Sequence, residues 1–329
     1  VGGRARSVFM IVIFLVLLMV NAVFGVVIAK LLINNPGAVV PVWGAIAVAL
    51  VIGQLIRRRV IGLGMVSVLG VACLYGLIFL GPQVPVALPD TVGGLSANAV
   101  WILILFGYAA IASLLPVWML LQPRDYINGL QLFVGLILLY AAVLIGNPTV
   151  VAPMINFGAP AGTPSMIPLL FVTIACGAIS GFHGLVASGT TSKQLNKETD
   201  ARFVGYFGAV GEGALALAAI IAATAGFASL ADWQAVYSAF GQGSLTAFVD
   251  GGAAILSGGT GLDAEVAATL LTVMAALFAG TTMDTGLRLQ RYIFQEWGEI
   301  YNQAWMRKPF PATLLAVISC LVLAFGAGG

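Results

Sequence analysis

Residues 8–28 form the apolar run VFMIVIFLVLLMVNAVFGVVI, which contains no charged side chain. A hydrocarbon core of roughly 30 Å requires about 20 such residues in a spanning α-helix. The strands of a membrane β-barrel alternate polar and apolar residues at short period, and this run does not. The stretch therefore predicts a transmembrane helix.

The composition of the whole chain agrees with that segment. Of the 329 residues, 60% are hydrophobic and 8% are charged, and the mean hydropathy is +1.06. A soluble globule of this composition would have too little polar surface, so we predict a lipid bilayer as the surrounding solvent. The net charge of +2 and the absence of a basic patch interleaved with aromatic residues argue against nucleic acid as a partner.

Nine apolar stretches predict an all-α, polytopic membrane protein with about nine transmembrane helices. We expect one transmembrane domain, residues 1–329. The segment 226–265 is too long for a simple turn, and its parts 232–237 and 247–256 are predicted as interfacial or re-entrant helices. The predicted spans are residues 8–28, 40–56, 64–80, 97–121, 131–145, 167–187, 203–225, 266–283 and 311–325.

The basic residues predict the orientation of these spans. Threading the chain alternately in and out places all of the 14 Lys and Arg residues except Lys30 on one side. Lys and Arg concentrate in short cytoplasmic loops, so we predict a multi-pass protein of the cell inner membrane whose first residues are cytoplasmic. The loops predicted to be cytoplasmic carry Arg57–Arg59, Arg124, Lys193–Arg202 and Arg288–Lys308.

The sequence ISGFHG, residues 179–184, interrupts the span predicted at 167–187. In hydrocarbon, unpaired backbone groups are tolerated only where protein or a water-filled cavity receives them. The break therefore predicts a discontinuous helix with an end that faces a ligand. The alternative is a glycine-lined helix crossing in which a buried histidine donates to a neighbouring carbonyl. The predicted substrate-binding residues are Ser180, Gly181, Phe182, His183, Thr190 and Thr191.

Glu212 places a carboxylate about 14 Å into the span at 203–225, at 1.5 Å per residue. Ionisable groups at such depth usually face a cavity or mark a proton or ion path. We predict that Glu212 is enclosed by protein near the broken helix and responds to protons. The alternative is a neutral Glu212 that joins helices by hydrogen bonds.

Thr281, Thr282 and Asp284 supply hydroxyl and carboxylate oxygens at the end of the span at 266–283. Small cations prefer such hard oxygen ligands, and Thr281 and Asp284 share a helix face. The group is predicted to couple transport to H⁺ or Na⁺. The alternative is that Asp284 pairs with Arg288 at i,i+4 near the cytoplasmic surface.

The pattern LPVW, residues 115–118, followed by QPRDY, residues 122–126, predicts a proline kink and a cytoplasmic turn. Arg124 and Asp125 are expected to hold that inner loop.

The remaining reactive side chains favour no enzyme chemistry. His183 is the one histidine, and HExxH and GxSxG patterns are absent. Cys73, Cys176 and Cys320 lie inside apolar runs and are predicted to behave as small hydrophobic residues. We therefore expect no catalytic residues, no metal and no cofactor.

These segments resemble the carbon starvation protein A family of bacterial and archaeal membrane proteins. The resemblance implies a place in the amino acid–polyamine–cation transporter superfamily, a leucine-transporter-like fold of inverted five-helix repeats, and uptake of peptides or pyruvate during nutrient limitation. Family members carry upstream spans with a paired-histidine segment, so we expect this chain to lack the first helices of that fold. The pieces that carry the resemblance are residues 115–118, 122–126, 174–191, 205–212 and 283–286, followed by Arg288.

Taken together, these patterns predict a secondary active transporter with a small-molecule or peptide substrate and H⁺ or Na⁺ as the coupling ion. A channel, or a membrane scaffold or sensor without transport activity, is the alternative. The sequence indicates no oligomeric state.

Overall fold

The computed structural model describes residues 2–58, 62–156, 158, 160, 162–171, 181–189, 191–239 and 243–326. Apart from short 3-10 turns and one small hairpin, β1 (Thr91–Val92) and β2 (Leu95–Ser96), the regular structure in these residues is helical. The predicted all-α class is therefore confirmed. The helices are α1 Gly3–Asn34, α2 Val39–Arg58, α3 Leu63–Leu80, α4 Ala97–Leu114, α5 Leu121–Gly146, α6 Gly181–Gly189, α7 Asp200–Ala225, α8 Leu230–Val236, α9 Ser244–Thr260, α10 Ala264–Ile300 and α11 Pro309–Gly326.

Eight helices within the described ranges are long and apolar enough to cross a membrane. They match every predicted span except residues 167–187, and the polytopic architecture is confirmed. That remaining span is helical at residues 166–171 and again in α6, whereas residues 172–180 lie outside the described part. The total of nine spans stays a prediction.

Three predicted helix boundaries are wrong by seven residues or more, because hydropathy alone set them. Helix α4 ends at Leu114, since the residue before a proline is disfavoured in the α region. Helix α5 begins at Leu121, ten residues earlier than predicted, and includes the segment predicted to be a turn. Helix α10 continues to Ile300, far beyond the predicted end at Met283. In both extensions the arginines Arg124, Arg288 and Arg291 are buried against protein, so these charges do not end the helix.

The described residues form two compact units, residues 1–133 with 272–329, and residues 134–271. Both boundaries fall inside helices, one in α5 and one in α10. The single domain stays a prediction.

In the first unit, α1 contacts α10 at three places. Near the start of α1, Arg6 pairs with Glu296 at 2.8 Å. Further along, the rings of Phe14 and Phe294 meet edge to face with centroids 5.3 Å apart. Deeper still, Asn21 Nδ2 donates to Gln290 Oε1 at 2.9 Å. These contacts fix the register of the two helices.

Small residues bring helices together in the second unit. A Cβ on Gly251 of α9 would collide with the carbonyl of Ala222 on α7, so the two backbones touch directly, as in small-residue crossings of membrane helices. Tyr140 of α5 donates its hydroxyl to the Ala214 carbonyl of α7 at 2.7 Å. The helices predicted within residues 226–265 are confirmed as α8 and α9, and their place relative to a membrane stays a prediction.

Candidate functional site

A buried ion cluster joins α4, α5 and α10 in the first unit. Asp284 of α10 is completely buried, and Arg124 of α5 is 3% exposed. Arg124 Nη1 pairs with Asp284 Oδ2 and also donates to the hydroxyl of Tyr108. Tyr108 in turn donates to Asp284 Oδ2 at 2.9 Å. One carboxylate oxygen therefore receives both donors.

Two glycines and a proline make room for this cluster. Pro123 lies in the first turn of α5, where a missing N–H costs nothing because the first amides of a helix have no intrahelical acceptor. It packs over Gly53 of α2, where an added Cβ would lie 2.6 Å from the proline ring. A Cβ on Gly280 would lie 2.8 Å from Arg124 Nη2. Glycine at position 280 therefore lets the guanidinium group reach Asp284.

The ion pair is costly to bury, which indicates a role beyond stability. Removing an ion from water costs several kcal/mol, and the attraction between the partners offsets this only when the geometry is good. Among the described residues, Asp284 Oδ1 and Arg124 Nε have no hydrogen-bond partner. A cavity of about 20 Å³ lined by Tyr108, Arg124 and Gly280 has room for about one water molecule. Ionisable groups inside membrane helices typically mark ion paths or relays.

Two further arginines of α10 cap the end of α4. Arg288 Nη2 donates to the carbonyl oxygens of Ala112 and Leu115 at 2.8 and 2.7 Å. Arg291 Nη1 donates to the carbonyl of Ser113 at 2.7 Å. The last carbonyls of a helix have no intrahelical donor, and cations there also complement the helix dipole. These side chains therefore stabilise the break that Pro116 imposes.

A polar cavity of about 210 Å³ lies between α5 and α10. Its lining includes Asp125, the residue that follows Arg124 of the ion cluster. Its polar lining comes from Asp125, Asn128 and Gln131 of α5 and from Thr281 of α10. Asp125 is exposed towards this space, whereas Asn128 and Gln131 are buried. The cavity can therefore offer a carboxylate, amides and a hydroxyl to a ligand.

The structure separates the three residues of the predicted cation site. Asp284 is paired with Arg124, and the hydroxyls of Thr281 and Thr282 donate to the Phe278 carbonyl at 2.9 and 3.2 Å. The alternative, a pair of Asp284 with Arg288 near the surface, is wrong, because both groups are buried and Arg288 donates to α4 carbonyls. The coupling role of the three residues remains a proposal.

Glu212 is exposed on α7 within the described residues, so the predicted enclosure is not observed. The reason is the distribution of packing along that helix. Its buried residues, Ala218, Ala222 and Ala225, lie in the C-terminal half, whereas Glu212 precedes them. Its response to protons stays a prediction.

The predicted substrate residues lie partly outside the described part of the chain. Ser180 and Thr190 lie outside the described residues, and the side chains of Phe182 and His183 are not described either. The backbone from Gly181 to Gly189 is helical. The break predicted around Ser180–Gly184 also involves Ser180, which lies outside the described residues, so it stays a prediction. Thr191 opens a 3-10 turn.

The buried arginines also correct the predicted loops. Arg124, Arg288 and Arg291 lie inside packed helices and not in cytoplasmic loops. The orientation therefore depends on the remaining basic residues, including Arg57 and Arg58 at the end of α2, and stays a prediction.

Several residues of the site were missed because a loop was predicted where helix exists. The spacing of the polar residues in the sequence does indicate a helix at both places. Arg124, Asn128 and Gln131 follow i, i+4, i+7 spacing, which places them on one face of a helix. Asp284, Arg288 and Arg291 repeat the same spacing on α10. Tyr108 gave no such signal, since a single tyrosine in an apolar span is also typical of packing.

The chain is similar to bacterial proteins that are named as transporters. The family model described as carbon starvation protein CstA matches residues 1–239. The pyruvate/proton symporter BtsT of Escherichia coli (strain K12) is 37% identical over 220 residues, 64% of this chain and 30% of the symporter. The peptide transporter CstA of Helicobacter pylori (strain ATCC 700392 / 26695) is 36% identical over 204 residues, 60% of this chain and 29% of that protein.

The peptide transporter CstA of Bacillus subtilis (strain 168) is 31% identical over 328 residues, 88% of this chain and 53% of that protein. The chain therefore spans about a third to a half of the length of these relatives. No solved structure matches it.

Proposed function

Because this chain belongs to the carbon starvation protein CstA family, we propose that it forms part of a secondary active transporter in the cell inner membrane. Its substrate is a peptide or pyruvate, and its uptake is coupled to H⁺ or another cation. Relatives named as a pyruvate/proton symporter and as peptide transporters support this assignment. The loops at Arg57–Arg59 and Lys193–Arg202, and the loop with Arg307 and Lys308, are cytoplasmic in this proposal.

The observation that carries the proposal is the buried pair of Arg124 and Asp284. A proton on Asp284 would cancel the charge that holds Arg124 and would leave the guanidinium group buried without an anion. A buried charge without a partner costs several kcal/mol. This cost favours a movement of α5 and α10 that brings the guanidinium group to water or to another anion. A charge-dependent rearrangement of this kind is what coupling to an ion requires.

We further propose the leucine-transporter-like inverted-repeat fold for the complete protein. The support is the helix break at Leu115–Leu120 with a capped α4 terminus, because transporters of that kind use broken helices near their sites. Ser180, Gly181, Phe182, His183, Thr190 and Thr191 remain the proposed substrate contacts. Glu212, Thr281, Thr282 and Asp284 remain the proposed coupling residues.

Uptake into proteoliposomes tests the proposal. The intact protein is reconstituted, and the accumulation of pyruvate and of alanylalanine is measured with a pH gradient at fixed sodium and with a sodium gradient at fixed pH. Asp284→Asn is expected to weaken gradient-driven accumulation by at least about tenfold. Glu296→Gln, which changes a half-buried carboxylate of the same helix that pairs with Arg6, is expected to keep the wild-type rate. Glu212→Gln should abolish the response to the pH gradient.

Two outcomes would overturn the proposal. Flux that only dissipates a substrate gradient would indicate a channel. The absence of any flux, with binding retained, would indicate a scaffold or sensor.

A further inference from the structure

The polar cavity between α5 and α10 is built by one face of each helix. Asp125, Asn128 and Gln131 of α5 recur every three residues, and Phe278 and Thr281 of α10 lie opposite them. The cavity volume of about 210 Å³ corresponds to about seven water molecules at roughly 30 Å³ each. It therefore has room for an organic group of a few heavy atoms.

Two residues that line the cavity contain buried polar atoms without a partner in the described part of the chain. Asn128 is 9% exposed, and neither its Oδ1 nor its Nδ2 has a hydrogen-bond partner among the described residues. Gln131 is 1% exposed, and its Nε2 likewise has none within that part of the chain. Buried polar groups are normally satisfied, because an unpaired one costs about 1–3 kcal/mol. Of these atoms, Asn128 Oδ1 can accept an N–H from a ligand, whereas Asn128 Nδ2 and Gln131 Nε2 are donors and need an acceptor.

The ionisable group in the cavity lining is a carboxyl group. Asp125 is the charged residue of the lining, and no ion pair joins it to a Lys or Arg in the described ranges. The neighbouring Arg124 is already bound to Asp284 and Tyr108. An anionic group such as a carboxylate would therefore meet repulsion here, whereas a cation would find a counter-ion.

We propose that this cavity binds the primary ammonium group of a small amine, with Asp125 as its counter-ion. Asn128 Oδ1 and the lone pairs of Thr281 Oγ1 accept the remaining N–H groups. The Thr281 hydroxyl donates to the Phe278 carbonyl at 2.9 Å, so its oxygen remains available as an acceptor. A bare metal cation needs several oxygens at roughly 2.0–2.6 Å, which a cavity of this volume does not enforce.

This inference rests on the proposed transport function and specifies its substrate end. A peptide carries an ammonium group, whereas pyruvate carries only a carboxylate and a ketone. The site is therefore suited to the amino end of a peptide.

Binding to the protein in lipid nanodiscs tests the inference without any gradient. Equilibrium dialysis with radiolabelled alanylalanine in a potassium chloride buffer gives the Kd, and N-acetyl-alanylalanine, potassium pyruvate and sodium chloride serve as competitors. Asp125→Asn is expected to weaken alanylalanine binding about 10- to 100-fold, the range for a hydrogen bond to a charged group. Asp90→Asn, an exposed carboxylate in the loop before α4, is the matched control and should leave the Kd unchanged.

Two further variants keep the test decisive if Asp125→Asn does not fold. Asn128→Leu and Thr281→Val each remove one acceptor, and each is expected to weaken binding about 2- to 10-fold. The melting temperature of every variant identifies those that are folded.

The inference is supported if alanylalanine binds, if its N-acetyl form and pyruvate do not compete, and if the folded cavity variants bind more weakly. It is overturned if N-acetyl-alanylalanine competes equally, or if the folded variants bind as the wild type does. Sodium that competes through Asp125 while alanylalanine fails to bind would assign the site to an inorganic cation and would also overturn it.

The two proposals fail separately. Asp125-dependent binding of the amine without uphill uptake would contradict the transporter and leave this site in place. Uphill uptake that persists in Asp125→Asn, with unchanged amine binding, would contradict this site alone.

Discussion

Breaking the buried ion pair should destabilise the protein far more than breaking an exposed one. Asp284→Asn leaves the Arg124 charge 3% exposed and without its carboxylate. Arg124→Gln leaves the completely buried Asp284 without the charged partner of its carboxylate. Removing one partner of a buried pair costs about 3–5 kcal/mol. Each single variant is therefore expected to lose about that amount of unfolding free energy.

The double variant measures the coupling between the two residues. When both charges are removed, no uncompensated ion remains, so the loss should be well below the sum of the single losses, with a coupling energy of about 2–4 kcal/mol. Unfolding by sodium dodecyl sulfate in mixed micelles, followed by far-ultraviolet circular dichroism, gives the free energies. The internal control is the pair of Arg6 and Glu296, whose side chains are 55% and 33% exposed. Its coupling should be about 0–1 kcal/mol.

Additive losses for Arg124 and Asp284, within about 0.5 kcal/mol, would refute the reasoning. The same measurement on Asp284 and Arg288 separates two arrangements. Arg288 donates to the carbonyls of Ala112 and Leu115, so its coupling to Asp284 should be the smaller one. If the coupling energy of Asp284 with Arg288 exceeds that with Arg124, Arg288 is the partner of Asp284.

Two other predictions concern the packing around the cluster. Gly280→Ala places a Cβ 2.8 Å from Arg124 Nη2 and should lower the free energy of unfolding by about 1–3 kcal/mol. Gly107→Ala is the control, because its Cβ meets open space and should be neutral or slightly stabilising. Equal effects of the two variants in the same detergent titration would contradict this prediction. Arg291→Gln removes the 2.7 Å hydrogen bond to the Ser113 carbonyl and should speed amide hydrogen exchange in the last turn of α4; unchanged exchange there would show that this cap is dispensable.

The apolar spans were predictable because lipid imposes a uniform requirement on length and composition. Residues 8–28 meet this requirement by their own composition, and α1 includes all of them. The same reasoning failed at α5 and α10, where hydropathy falls although the helices continue. Polar side chains end a helix that faces lipid, but those of Arg124 and Asp284 face protein, and a local average cannot distinguish these two surroundings.

The sequence by itself determined the helical class, the membrane setting and the position of most spans, since those depend on local composition and on the 3.6-residue period. Only the tertiary structure decided which charges meet. Asp284 has Arg288 four residues away in sequence, yet its partner is Arg124, 160 residues distant. The physical reason is that the packing of α4, α5 and α10 brings Arg124 to the carboxylate through the space left by Gly280, while Arg288 is turned towards the unpaired carbonyls at the end of α4.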